Sequence, residues 1–160
     1  MSQQTTGQVI QVPNTLKLKV GGRFGGIDPT AIAKAEAALK SLSSNFSEWL
    51  QDEITKLDAS RARIRNEAWN AETAENLYLR AHDLKGLGAT YEFPLITRIA
   101  GSLCKMIDDS DTRLNAPMHI IDGHIDAIKA CVRDNIKDAS NPVGKMLAEE
   151  LEGRVKEFLG

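Results

Sequence analysis

The sequence predicts an all-α fold, an up-down antiparallel bundle of about five helices built around a four-helix core. After residue 27, apolar residues recur at spacings of three and four, the period of a helix that buries one face. Proline or asparagine stands at the start of most of these segments, and no convincing strand interrupts them. At 160 residues the chain is long enough for one domain with a single hydrophobic core.

Residues 1–27 lack this helical periodicity. They are rich in Gln, Thr and Gly, and their one alternating run, Leu16 to Val20, has no second strand to pair with. The glycine-rich run from Gly21 to Gly26 lacks the Gly-Lys-Ser/Thr ending of a phosphate-binding loop. We expect a mobile N-terminal arm over 1–27 and a helical-bundle domain over 28–160.

The first helix is predicted to start at Asp28 and Pro29, an N-cap followed by proline at the first helical position. The pattern allows one long helix to about Arg65, or a break near Asp58-Ala59-Ser60. Its apolar residues form two sets with shifted phase: Ile32, Ala35, Leu39, Leu42, Phe46 and Trp49, then Leu50, Ile54, Leu57 and Ile64.

Four further helices are predicted from their start signals. The second runs from a cap at about Asn70 to about Tyr91, and the third opens at Pro94. The fourth starts near Asn115 and Pro117, and the fifth at Asn141-Pro142. The three later helices carry the stripes Ile96, Ile99, Leu103 and Ile107; Met118, Ile121, Ile125, Ile128 and Val132; and Leu147, Leu151, Val155 and Phe158.

The run from His82 to Gly86 is the most informative part of the second helix. Leu77, Ala81 and Leu84 form an apolar seam, and His82 falls one residue off it. We therefore expect the imidazole to face water or a partner rather than the core. The flank that carries it consists of Tyr78, His82, Lys85, Gly86 and Ala89.

Two neighbours suit chemistry at this imidazole. Lys85, one turn away, can place an ammonium beside an anion attached to the ring. Helical side chains lean toward the N-terminus, so a bulky residue at position 86 would lie over His82, whereas Gly86 leaves the ring accessible. Gly88 lies on the seam, where close approach of another helix is a sufficient reason for a glycine.

The nine residues from Ala81 to Ala89, AHDLKGLGA, resemble the phosphohistidine motif of histidine-containing phosphotransfer (HPt) domains, whose core is His-x-Leu-Lys-Gly. The resemblance covers roughly Ala71 to Asp109. It implies a helical bundle whose exposed histidine accepts a phosphoryl group from the aspartate of one receiver domain and passes it to another. In one departure, family members often end the motif helix with a glycine near the place where Thr90 to Phe93 stand here.

On this interpretation His82 is the phosphorylated residue, Lys85 stabilises the phosphoryl oxygens and Gly86 provides access. Tyr78 and Ala89 belong to the partner-docking surface. An exposed imidazole is largely neutral at cytosolic pH, so a ring nitrogen is free to attack phosphorus in line. We expect a phosphoryl carrier rather than a turnover enzyme, with no cofactor of its own and with Mg²⁺ supplied by the receiver partner. The expected partners are response-regulator receiver domains and a (hybrid) sensor histidine kinase.

Three other interpretations start from the same residues. One is a helical adaptor that only binds a signalling partner, and another is a dimerising histidine phosphotransferase whose long first helix forms the dimer seam. The third is a metal-dependent phosphohydrolase, suggested by the pair His82-Asp83. Against the last, His119 and His124 are five residues apart, which does not align two metal ligands on one helix face. We expect no metal site, and structural roles for both histidines.

The composition argues against nucleic-acid-binding, secreted and membrane-spanning classes of protein. The formal net charge is −2 and the pI is near 5.9, so no basic surface indicates nucleic-acid binding. The N-terminus lacks the pattern of a secretory signal, and no apolar stretch approaches the roughly 20 residues that span a membrane. We expect a cytoplasmic protein without nucleic-acid or membrane partners, in which Cys104 and Cys131 are small buried thiols.

Overall fold

The computed structural model describes residues 28–160, and in this range the predicted all-α class is confirmed. A short 3₁₀ turn, Arg113–Asn115, precedes the fourth helix. The arm predicted for residues 1–27 lies outside the described residues. The helices are α1 (Pro29–Glu67), α2 (Ala71–Leu87), α3 (Pro94–Ile107), α4 (Met118–Arg133) and α5 (Pro142–Leu159).

The compact unit that carries the motif runs from Asn45 to Gly160, and residues 28–44 lie outside it. The domain boundary that the sequence predicts at residue 28 stays a prediction. Residues 28–44 are all exposed, and the exposed apolar side chains among them include Ile32, Leu39 and Leu42. Helical spacing correctly indicated a helix here, but spacing alone does not show whether an apolar stripe is buried.

The core of the unit from Asn45 to Gly160 is organised around α3, which packs against α2, α4 and α5. Its start at Pro94 agrees with the sequence prediction, as do the starts of α4 and α5. Burying each large aliphatic side chain contributes about 1.5–3 kcal/mol. The predicted stripe of α3, Ile96, Ile99, Leu103 and Ile107, is completely buried.

Helix α1 continues without a break through Asp58-Ala59-Ser60, where the sequence left a break open. The polar residues there are held by groups from other helices. The Ser60 hydroxyl donates to Asn76 of α2 at 2.6 Å, and the buried Arg61 donates to Asp126 of α4 at 2.7 Å. These pairings satisfy polar groups inside the interface, so the helix does not need to end there.

Helix α2 starts as predicted but ends earlier than predicted. Asn70 caps it by accepting from the backbone N–H of Glu72 and Thr73. The helix ends at Leu87, four residues before the predicted end at Tyr91. The chain turns here because the Phe93 N–H donates to the Gly88 carbonyl at 2.8 Å.

The turn after α2 contains the position at which the HPt resemblance leads one to expect a glycine. Glu92 has φ 70°, in the left-handed region that glycine adopts most easily. The turn is nevertheless ordered by packing, because the Tyr91 ring lies 5.6 Å from Phe46 and 5.8 Å from Trp49 between centroids. The left-handed conformation costs Glu92 about 1 kcal/mol relative to a glycine at the same position.

Candidate functional site

The seam of α2 faces the core, and its neighbouring flank faces outward. Leu77, Ala81 and Leu84 are completely buried, whereas His82 is exposed. The helix thus presents an imidazole from a rigid, buried backbone. This arrangement fixes the Cα–Cβ direction of His82 and leaves its side chain exposed.

The His82 ring has a different environment on each side along the helix. Toward the N-terminus it contacts the Tyr78 ring, with 5.9 Å between centroids and 39° between planes. Toward the C-terminus a Cβ added at Gly86 would meet nothing within 4 Å. Because Gly86 carries no side chain and its surroundings are open, a group can approach His82 from this direction.

Lys85 is exposed, and its aliphatic stem lies beside α3. A Cβ added at Gly101 would lie 3.9 Å from both Cγ and Cδ of Lys85, so the stem passes over this glycine at van der Waals distance. The lysine charge also acts on the buried thiol of Cys104. Burial dominates there and raises the pKa of Cys104 to about 11, which makes the thiol unreactive.

Gly88 is buried at the point where the turn meets α3. A Cβ on Gly88 would lie 2.6 Å from the Thr97 Oγ1 and 2.7 Å from the Thr97 backbone nitrogen. The neighbouring Ala89 is exposed, and its N–H donates to the same Thr97 hydroxyl at 2.8 Å. Close approach is therefore the reason for Gly88, while Ala89 contributes small, exposed surface.

Tyr78 is half-buried rather than fully exposed. The Arg113 guanidinium carbon lies 5.5 Å from the centroid of its ring. The nearby Asp108 carboxylate, together with burial, raises the pKa of the Tyr78 hydroxyl. No local signal in the sequence identifies Arg113 as a neighbour of Tyr78, because Arg113 comes from the 3₁₀ turn far along the chain.

The other two histidines occupy different environments. His124 is completely buried; its Nδ1 donates to the Ile120 carbonyl at 2.8 Å, and its Nε2 accepts from the Ser102 hydroxyl at 3.0 Å. The carbonyl can only accept, which assigns this tautomer. Burial lowers the pKa of His124 and keeps it neutral. His119 is exposed near the start of α4.

The Asp83 carboxylate pairs with an arginine of its own helix. This carboxylate lies 3.6 Å from Arg80 on the solvent side of α2. Within residues 28–160, no group of three or more His, Cys, Asp or Glu side chains is arranged to hold a metal ion. None of the helices in this range is long and apolar enough to cross a membrane.

Comparisons with protein-family models, with curated proteins and with solved structures return no match for this chain. The geometry of the site itself indicates which chemistry it can support. An exposed imidazole supported on one side, open on the other and flanked by a lysine can act as a nucleophile toward an electrophilic phosphorus. The lysine ammonium can stabilise the negative charge on the phosphoryl oxygens during such a transfer.

Proposed function

We propose that the chain is a histidine phosphotransfer protein that relays a phosphoryl group between receiver-domain aspartates through His82. The observation that carries the proposal is the exposed His82 ring with open space at Gly86 and a lysine three residues away. The HPt-like motif from Ala81 to Ala89 supports the same function.

The transfer follows from the chemistry of the two groups. An unprotonated His82 nitrogen attacks the phosphorus of an aspartyl phosphate in line. The N–P bond forms as the bond between phosphorus and the aspartyl oxygen breaks, and the aspartate leaves as a carboxylate. Lys85 stabilises charge on the equatorial oxygens. The reverse steps deliver the group to a second receiver.

The proposed partners are response-regulator receiver domains, with a sensor histidine kinase upstream. Receiver domains present their aspartate on a concave acidic site. Gly86 of α2 and Ala89 in the turn after it are small and exposed, and such a site can approach them. Mg²⁺ would arrive with the receiver. The proposed role is that of a cytoplasmic carrier, which is loaded and unloaded by its partners.

Incubation with a phosphorylated receiver domain tests the proposal. The wild-type protein should acquire an acid-labile, alkali-stable label, and His82→Gln should abolish it. His119→Gln is the matched control, because His119 is also an exposed helical histidine. Circular dichroism should show unchanged helicity in both variants.

Two outcomes would overturn the proposal. A label that survives His82→Gln and disappears with His119→Gln would show that His119, and not His82, is phosphorylated. Tight binding of the receiver without any label on the wild type would identify the chain as an adaptor. Receivers from several relays should be tested, because the sequence does not specify the partner.

A further inference from the structure

We infer that Arg113 is a positioning residue for His82 and acts through Tyr78, an inference that rests on the proposed function. The Arg113 guanidinium carbon lies 5.5 Å from the Tyr78 ring centroid, and the Tyr78 ring lies 5.9 Å from the His82 ring. The three side chains form a contact series that links the 3₁₀ turn to the reactive ring.

Arg113 is firmly held at the far end of this series. Its Nη1 donates to the Glu75 carboxylate at 3.1 Å and its Nη2 to the Asp108 carbonyl at 3.0 Å. Its own carbonyl accepts from the Trp69 indole at 3.2 Å. Contacts with Glu75 of α2 and with Asp108 after α3 therefore hold the guanidinium over Tyr78, and the Trp69 contact holds the Arg113 backbone.

Stability does not fully explain this placement of Arg113. Its Nε is buried without a hydrogen-bond partner among the described residues, which is a costly arrangement for a guanidinium. Cation–π contact with Tyr78 offsets part of that cost. The guanidinium of Arg113 thus contacts the Tyr78 ring in addition to its two hydrogen-bond acceptors, Glu75 and the Asp108 carbonyl.

The direction of helical side chains explains why the Tyr78 ring matters. A side chain at position 82 leans toward position 78, so the imidazole leans on the tyrosine. A tyrosine held by Arg113 limits the rotamers that an exposed histidine would otherwise sample. The imidazole is then held with its free side toward the opening at Gly86, and less reorientation is needed when phosphorus approaches.

The burial of Arg113 makes the inference testable. Its side chain is only 9% exposed, so a docked receiver would not touch it. Arg113→Met should therefore leave receiver affinity unchanged while lowering the maximal transfer rate about ten-fold. Phosphoramidate, a small donor that releases ammonia as the N–P bond to His82 forms, should show the same loss without any docking. Arg98→Met is the control, because Arg98 pairs with Glu152 on the surface instead.

NMR of the unphosphorylated protein supplies a second readout. The Tyr78 ring current should shift the His82 ring protons; Arg113→Met should move them toward random-coil values, and Arg98→Met should not. Unchanged ring shifts, or an unchanged transfer rate in Arg113→Met, would overturn the inference. If wild-type protein accepts phosphate from neither donor, the proposed function fails instead, and the ring shifts still test the positioning.

A second pair of variants covers the case in which Arg113→Met does not fold. Tyr78→Phe keeps the ring and its contacts with Arg113 and His82, and should accept phosphate from phosphoramidate several-fold faster than Tyr78→Leu. Tyr78→Leu removes the ring and should be slowed about as much as we expect for Arg113→Met. Equal rates for Tyr78→Phe and Tyr78→Leu would contradict the positioning role.

Discussion

At the residue scale, Gly86 and Gly88 differ in what surrounds their missing side chains. Nothing lies within 4 Å of a Cβ added at Gly86, whereas a Cβ at Gly88 would collide with the hydroxyl and backbone nitrogen of Thr97. One glycine keeps an approach to His82 open, and the other allows two backbones to come close. The sequence predicted both reasons, because Gly88 lies on the apolar seam and Gly86 does not.

This difference predicts opposite effects of alanine on stability. Gly86→Ala should raise the free energy of unfolding by about 0.5 kcal/mol, because alanine is the better helix former and has room. Gly88→Ala should lower it by about 1–3 kcal/mol, because the Thr97 backbone cannot move away cheaply. Urea unfolding of the two variants measures both, and a destabilised Gly86→Ala would contradict the open space described for Gly86.

Lys85 and Gly86 should affect phosphotransfer in different ways. Lys85→Ala withdraws a positive charge but leaves access open, so transfer should slow roughly ten-fold with receiver affinity largely kept. Gly86→Leu should block docking and transfer together while the protein stays folded. Titration of receiver binding beside the transfer rate separates the two effects. A normal transfer rate in Gly86→Leu would refute the access argument.

At the scale of elements, the end of α2 shows where local patterns stop being informative. The apolar seam continues in the sequence through Tyr91, which favoured a helix to that residue. The helix ends at Leu87 because the turn is held by Thr97 and Phe93, which belong to the start of α3. A helix end fixed by a neighbouring helix leaves no signal in the seam itself.

The strained conformation of Glu92 predicts a stabilising substitution in this turn. Glu92→Gly should raise the free energy of unfolding by about 0.5–1 kcal/mol, because glycine adopts φ 70° without the Cβ penalty. Glu92→Ala is the control, since it removes the carboxylate near Lys137 but keeps the Cβ. Thermal unfolding of both variants is the measurement. Equal stability of the glycine and alanine variants would show that the backbone conformation is not the cause.

In helix α1 too, the sequence pattern predicts the helix but not which of its apolar residues are buried. Spacing predicted its two apolar sets, yet the set with Leu50 and Leu57 is buried while Leu39 and Leu42 are exposed. Its continuity past Asp58 depends on partners in α2 and α4, which are distant in sequence. Start signals and periodicity therefore predicted the helices, but long-range contacts decided which faces are buried.

At the scale of the whole molecule, the buried imidazole of His124 couples stability to pH. Burial lowers the pKa of His124, so the folded state resists protonation while the unfolded state binds a proton below about pH 6.5. The unfolded state then holds more protons, and stability falls as the pH decreases from 6.5 toward the lower folded-state pKa. For one proton the slope is at most about 1.4 kcal/mol per pH unit.

Urea unfolding between pH 7.5 and pH 5 should show this loss in the wild type. His124→Gln, which keeps a donor and an acceptor, should be less stable at neutral pH but should have a flatter profile in this window. His119→Gln is the control for replacing an exposed histidine of the same helix. A slope that is the same in His124→Gln would assign the effect to other groups.

The candidate site was predicted from sequence only in part, and the missing part is non-local. His82, Lys85 and Gly86 lie within two turns of α2, so their common flank follows from the helical period alone, whereas Ala89 lies in the turn after the helix. The contact between Arg113 and Tyr78 requires the chain to return through α3 and the 3₁₀ turn. Local spacing can thus identify the exposed flank that carries His82 but not the contacts that hold its side chains in place.

Transfer out of the protein tests the central claim most directly. Wild-type protein would be loaded by a phosphorylated receiver, separated from it and mixed with a second, unphosphorylated receiver. We predict a phosphohistidine signal on His82 by ³¹P NMR and mass spectrometry, followed by its loss as the second receiver becomes labelled. Phosphate on any other residue of the chain, or phosphate on His82 that no tested receiver removes, would contradict the account.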